Sequence, residues 1–133
     1  MPIVTHTGSC HCGAITFEFP HESEGVQLTS CNCSMCSRRG FLQMTVEQPD
    51  LKLTKGSISD LGLYTFNTHT ARHYFCKTCG ITPFYIPRSH PHCYSINYGC
   101  IHPGTMSTTS DPMRFDGQNW EASVAKFRGE DPK

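Results

Sequence analysis

Seven of the nine cysteines fall into three short clusters whose spacing fits metal ligation. They are Cys10-His11-Cys12, Cys31-Asn32-Cys33-Ser34-Met35-Cys36 and Cys76-Lys77-Thr78-Cys79. Spacings of one or two residues let a single tight turn aim two thiolates at one point, and Zn²⁺ accepts four thiolates in a tetrahedron. Gly13 and Gly80 follow two of the clusters and relieve the turns where backbone N–H groups tip toward sulfur. A disulfide framework fits poorly. Cys-x-Cys pairs bridge each other only with strain, and a chain without an export signal is expected to sit among reduced thiols.

A closed structural site uses four cysteines, so seven divide into four and three. A three-thiolate site keeps a vacant fourth position for water or a substrate atom, which is the usual mark of catalysis. Spacing alone leaves the pairing of clusters open. The simplest partition keeps Cys31, Cys33 and Cys36 on one ion, and joins Cys10, Cys12, Cys76 and Cys79 on the other. A histidine, Cys93 or Cys100 could still close the second site and make it structural. At an open site a bound thiol is deprotonated, which readies it as a nucleophile or a leaving group. The electron-rich thiolate shell weakens Lewis acidity, so sulfur chemistry is favoured over hydrolysis.

Other residues near the clusters have competing readings. Ser34 can donate to a thiolate sulfur or serve only the turn. Arg38 and Arg39 could attract a ligand carboxylate or face solvent. Asp116, Asn119 and Trp120 could line a pocket or fix a turn. His11 is read first as a surface or packing residue, and His69 and His73 as ordinary strand positions. Cys93 and Cys100 read as buried strand cysteines, and Lys77 and Thr78 as turn residues without chemistry.

The elements that must position these residues are β throughout. Alternation or β-rich runs mark strands at 14–19 (ended by Pro20), 26–29, 41–46, 51–53, 63–66, 71–75, 81–86, 94–101 and 122–127. A hairpin turns at Asn67-Thr68-His69-Thr70. The one expected helix is a turn or two at Ser34 to Arg39. Short strands with frequent turns imply a mainly β fold of short antiparallel strands, a small sandwich or curled sheets. In 133 residues this is one domain, expected over 5–128. Eleven Lys and Arg balance eleven Asp and Glu, so no basic stripe points to nucleic acid. No apolar run nears the ~18 residues that cross a bilayer. The first residues lack a secretory pattern, so a cytoplasmic location is expected. No long amphipathic stripe marks an oligomer interface.

Gly8-Ser9-Cys10-His11-Cys12-Gly13-Ala14-Ile15, the Cys31–Cys36 cluster and Phe75-Cys76-Lys77-Thr78-Cys79-Gly80-Ile81 resemble, in order and spacing, the three motifs of the glutathione-dependent formaldehyde-activating enzyme family (the CENP-V/GFA domain). Asn97-Tyr98-Gly99-Cys100-Ile101 and Phe115-Asp116-Gly117-Gln118-Asn119-Trp120 are similar to later family segments. The resemblance implies an Mss4-like β fold with two zinc ions. Cys10, Cys12, Cys76 and Cys79 would hold a structural one, and Cys31, Cys33 and Cys36 a catalytic one. It implies a carbon–sulfur lyase that forms or breaks the S-hydroxymethyl adduct of glutathione or a similar thiol. A non-catalytic, zinc-stabilised binding module of the same fold is the alternative.

Overall fold

The computed structural model describes residues 2–109 and 111–127. Ten strands form two sheets: β1 (Ile3–Ser9), β2 (Thr16–Glu22), β3 (Thr29–Cys31), β4 (Gln43–Glu47), β5 (Lys52–Lys55), β6 (Leu61–Tyr64), β7 (Arg72–Cys76), β8 (Phe84–Ile86), β9 (Cys93–Asn97) and β10 (Met113–Phe115). The small sheet runs β1-β2-β5. The large one runs β10-β3-β4-β9-β8-β7-β6. Every pairing within these sheets is antiparallel except β10 with β3. Helix α1 (Ser34–Arg39) lies where the sequence places it, and α2 (Trp120–Phe127) follows β10. The mainly β expectation holds, with one parallel pair in it. The proposed domain limit at residue 128 lies outside the described residues.

The sheets meet through aromatic rings. Phe17 and Phe19, on the inward face of β2, are fully buried. Phe17 packs edge-on against Phe84 of β8 at 5.8 Å, and Phe84 meets Tyr94 of β9 at 4.9 Å. Each buried phenylalanine contributes about 2–3 kcal/mol of apolar burial, and Ile15, Met44, Val46, Leu61 and Ile96 belong to the same buried cluster.

Four sequence expectations need correction. Pro20 does not end β2, which continues to Glu22 with Pro20 opposite Thr5. β5 pairs only with Thr16 to Glu18, so the edge beside Pro20 has no neighbour needing its missing N–H. Residues 122–127 are helix rather than strand. Residues 98–100 form a single 3₁₀ turn in place of a longer β9. The strand expected at 26–29 is displaced to β3 at Thr29–Cys31, sharing only Thr29, with Val26 in one isolated bridge to Thr108.

Candidate metal centres and the cavity at the three-cysteine cluster

The first four cysteines come from both sheets. Cys10 and Cys12 sit in the turn joining β1 to β2, and Cys76 and Cys79 in the turn after β7. Gly13 and Gly80 take φ of 80° and 79°, which side chains resist, and so close the two turns. All four sulfurs lie within 4.8 Å of one another. Cys12 Sγ is 3.7 Å from Cys10 Sγ and 3.6 Å from Cys76 Sγ. A tetrahedral four-thiolate ion with bonds of about 2.3 Å has edges of about 3.8 Å, so the donor set fits a metal ion. Backbone N–H groups of Ile15 and Thr78 donate to Cys10 and Cys76 sulfur, each at 3.4 Å. Thr78 thus has a role, through its backbone, that its side chain does not announce.

The second cluster is built by one turn. Cys31 ends β3, Cys33 caps α1, and Cys36 lies within it. The Cys33 sulfur accepts from the Cys36 N–H at 3.3 Å, as an N-cap side chain does. Ser34 does not take that role. Its carbonyl instead accepts from Arg38 at 2.8 Å, which leaves Arg38 on the surface. Among the described residues no fourth side chain joins the three thiols. Cys100 faces the Thr82 carbonyl, and Cys93 is bonded to Glu47.

Cys36 is the buried member and collects the donors. Arg39 Nη2 reaches its sulfur at 3.6 Å, Gln43 Nε2 at 3.7 Å, and the Tyr85 hydroxyl lies at 3.8 Å. The Cys36 thiol is held far below the ordinary range by hydrogen bonds from Cys31, then Cys33, with Arg39 adding to them. Burial, then the Cys36 charge, pushes the Tyr85 phenol well up, so it stays a donor. Tyr85 and Ser95 both donate to Gln43 Oε1, which turns the Gln43 amide N–H toward sulfur.

Arg39 does not face a ligand carboxylate. Its guanidinium lies between the rings of Phe41 and Tyr85, at 4.8 and 4.4 Å. Its Nε and Nη1 are buried without partners. A buried cation needs a compensating anion. Three thiolates around a divalent ion would carry about −1 in net charge, which suits the Arg39 cation that already reaches the Cys36 sulfur, and the donor set again fits a metal.

The three thiols open onto a cavity of about 360 Å³. Gln43, Thr45, Ser95, Tyr85 and His73 line it, along with Phe66, Arg88 and Trp120. His73 was read as an ordinary strand residue, and here it is the main surprise. It is 5% exposed, its ring is stacked on Phe66 and Tyr85, and its Nδ1 is buried without a partner. Burial, then the Arg39 charge, lowers its pKa to about 4, so the ring is neutral near pH 7. His11 and His69 are exposed, and His69 bonds to Thr65 within its turn. Lys77 is an exposed turn residue.

The segment 115–120 straps the cysteine turn from outside. Asn32 N–H donates to the Phe115 carbonyl at 3.2 Å, and Gln118 N–H donates back to Asn32 Oδ1 at 3.2 Å. Asp116 accepts from Asn32 and Asn119 side chains at 3.1 and 2.8 Å. Asp116 and Asn119 therefore fix the turn, whereas Trp120 lines the cavity with Arg88 3.6 Å above its ring. A Cβ on Gly117 would fall 2.5 Å from Cys33 Cβ and 2.9 Å from Cys31 Sγ. Gly117→Ala should push both cysteines off their common point. We expect loss of metal from this cluster alone, with the thermal midpoint moving by only a few degrees. Metal analysis and calorimetry of the variant check this.

Two comparisons bear on this arrangement. The sequence pattern of the glutathione-dependent formaldehyde-activating enzyme family matches residues 5–120. A crystal structure of a Rhodobacter sphaeroides protein is similar, with 34% identity, a TM-score of 0.71, and coverage of 81% of this chain and 98% of that one. The match takes in all seven clustered cysteines and the strap that closes over them. The chain belongs to the glutathione-dependent formaldehyde-activating enzyme family.

Proposed function

We propose that the protein is a zinc-dependent carbon–sulfur lyase that makes or breaks the adduct of glutathione, or a similar thiol, with a small aldehyde. The observation that carries this reading is the cavity, into which three thiols open with no fourth protein ligand among the described residues. Residues 5–128 would act as one Mss4-like domain with two zinc ions, one structural at Cys10, Cys12, Cys76 and Cys79. The other, at Cys31, Cys33 and Cys36, would be catalytic. The expected location is cytoplasmic; among the described residues no helix is long and apolar enough to cross a membrane.

When bound, a three-thiolate zinc would supply an open coordination position where a substrate thiol loses its proton and a departing thiolate is stabilised. The remaining work falls to the chain. Arg39 and Gln43 donate to the Cys36 sulfur and fix its direction, while Tyr85 and Ser95 orient Gln43 by donating to its Oε1. Phe66 and Trp120 narrow the cavity and exclude water. His73 presents a neutral imidazole, which can donate an N–H to the aldehyde oxygen as negative charge develops on it. Arg88 brings a guanidinium to the cavity, 3.6 Å from the Glu121 carboxylate, where a substrate carboxylate could take the place of Glu121.

A direct test is release of formaldehyde from S-hydroxymethylglutathione by the zinc-loaded protein. No acceleration over the spontaneous reaction would contradict the reading. His73→Phe should lower kcat by about 10²-fold, as loss of one oxyanion donor does, and His73→Gln should recover part of it. The same residue sets a pH effect on stability. The folded protein binds the His73 proton more weakly than the unfolded chain. Stability therefore rises with pH between about 4 and 6.5, and is lost as pH falls through that window. Denaturant midpoints between pH 5 and 6.5 should slope less in His73→Gln than in the wild type.

A further inference from the structure

A third set of metal-type donors lies outside both cysteine clusters. Glu47 closes β4 and Cys93 opens β9, directly opposite each other in the antiparallel register. Cross-strand partners project to the same face, so the ladder itself brings carboxylate and thiol together. The Cys93 thiol donates to Glu47 Oε2 at 2.8 Å. His92 is the next residue, and its Nε2 lies 3.6 Å from the same oxygen. One donor atom from each of the three falls within 4.8 Å of the others.

The loop carrying His92 is held in place. Gln48 donates from its backbone to the His92 carbonyl at 3.2 Å and from its side chain to the Pro91 carbonyl at 3.0 Å. Cys93 N–H donates to the His90 carbonyl at 3.0 Å. The His92 and Glu47 side chains are 64% and 59% exposed, so an ion can reach them from solvent.

Thiolate, imidazole and carboxylate together suit Zn²⁺ or another late first-row divalent ion, whereas Ca²⁺ and Mg²⁺ require oxygen donors. Bonds of about 2.0–2.3 Å give tetrahedral edges of roughly 3.3–3.8 Å. The imidazole–carboxylate separation already meets that range. The thiol–carboxylate contact need open by under about 1 Å once the ion replaces the thiol proton.

We propose that Glu47, His92 and Cys93 form a third metal site, taking Zn²⁺ or a similar late divalent ion and releasing the Cys93 proton to solvent. Gln43, Thr45 and Glu47 share one face of β4, and Ser95 and Cys93 share one face of β9. Thr45 and Ser95 line the cavity and face each other, and Glu47 with Cys93 is the next such pair, about 7 Å along the sheet. An ion there would sit beside the cavity and add positive charge on its approach. The inference does not rest on the proposed reaction.

Cobalt(II) is the probe. The protein is loaded with two equivalents of Zn²⁺ per chain, enough for the two cysteine clusters alone, and titrated with Co²⁺, with total bound metal measured after dialysis. We expect one further equivalent and a near-ultraviolet thiolate-to-cobalt charge-transfer band. The surface variant Glu47→Gln/His92→Gln should bind that equivalent at least about tenfold more weakly, with unchanged circular dichroism. Cys93→Ser should lose the band. Total metal that does not rise above two per chain, or equal affinity in the wild type and the double variant, would overturn the site. Because total metal is counted, cobalt that merely replaces zinc elsewhere adds nothing to the sum.

Discussion

Cys76→Ala should abolish the folded state at 25 °C. The Cys10–Cys12 turn belongs to the small sheet and the Cys76–Cys79 turn to the large one, so the four thiols join the two layers. The apolar contact between those layers includes Phe17 of the small sheet against Phe84 of the large one, within a wider buried cluster. A structural zinc site contributes on the order of 10 kcal/mol to folding, and a domain of this size has about 5–15 kcal/mol in all. Removing one ligand therefore consumes most of the stability. Cys76 is 2% exposed, so no solvent ligand readily replaces it. Far-ultraviolet circular dichroism and a thermal scan check this: the variant should show no cooperative transition, and chelation should do the same to the wild type. A variant that melts within a few degrees of the wild type would show that the sheets hold without the metal.

Cys33→Ala should behave in the opposite way. Its thiol lies at the cavity wall and comes from the same turn as Cys31 and Cys36, so no second layer depends on it. The structural cost is the lost N-cap to Cys36 N–H, about 1 kcal/mol. Activity should nevertheless fall by at least about 10³-fold, roughly 4 kcal/mol of barrier, because two thiolates no longer hold the ion. The zinc content should drop by one per chain while the melting curve stays cooperative. If Cys33→Ala unfolds as Cys76→Ala does, the second cluster is structural.

The seven clustered cysteines were legible because metal ligation leaves its trace in local spacing. Helix α1 was legible for the same reason: one turn must present three sulfurs. Strand β1 was not, because its buried inward positions are His6 and Gly8, and neither carries an apolar signal. β10 is three residues paired in parallel with β3, and only the folded chain brings them together. α2 was misread as a strand, although Trp120, Val124 and Phe127 recur at helical spacing among good helix formers.

The cavity was the least legible part. The alternation in 41–46 marks a strand but does not say what its polar face meets. Gln43 is in fact 4% exposed, on a polar face that lines the cavity beside Cys36. His73 and Tyr85 are adjacent only through the pairing of β7 with β8, which no local pattern records. A polar residue recurring on alternate strand positions near a ligand cluster is the one signal that could have found Gln43 in advance.

Anomalous diffraction at the zinc edge from crystals of the zinc-loaded protein, with and without glutathione, tests the central claim most directly. One zinc peak is expected among Cys10, Cys12, Cys76 and Cys79 with four protein sulfurs. A second is expected among Cys31, Cys33 and Cys36, with a fourth neighbour that is not protein and becomes the glutathione sulfur on soaking. A protein side chain filling that fourth place, or no peak at the three cysteines, would contradict the claim.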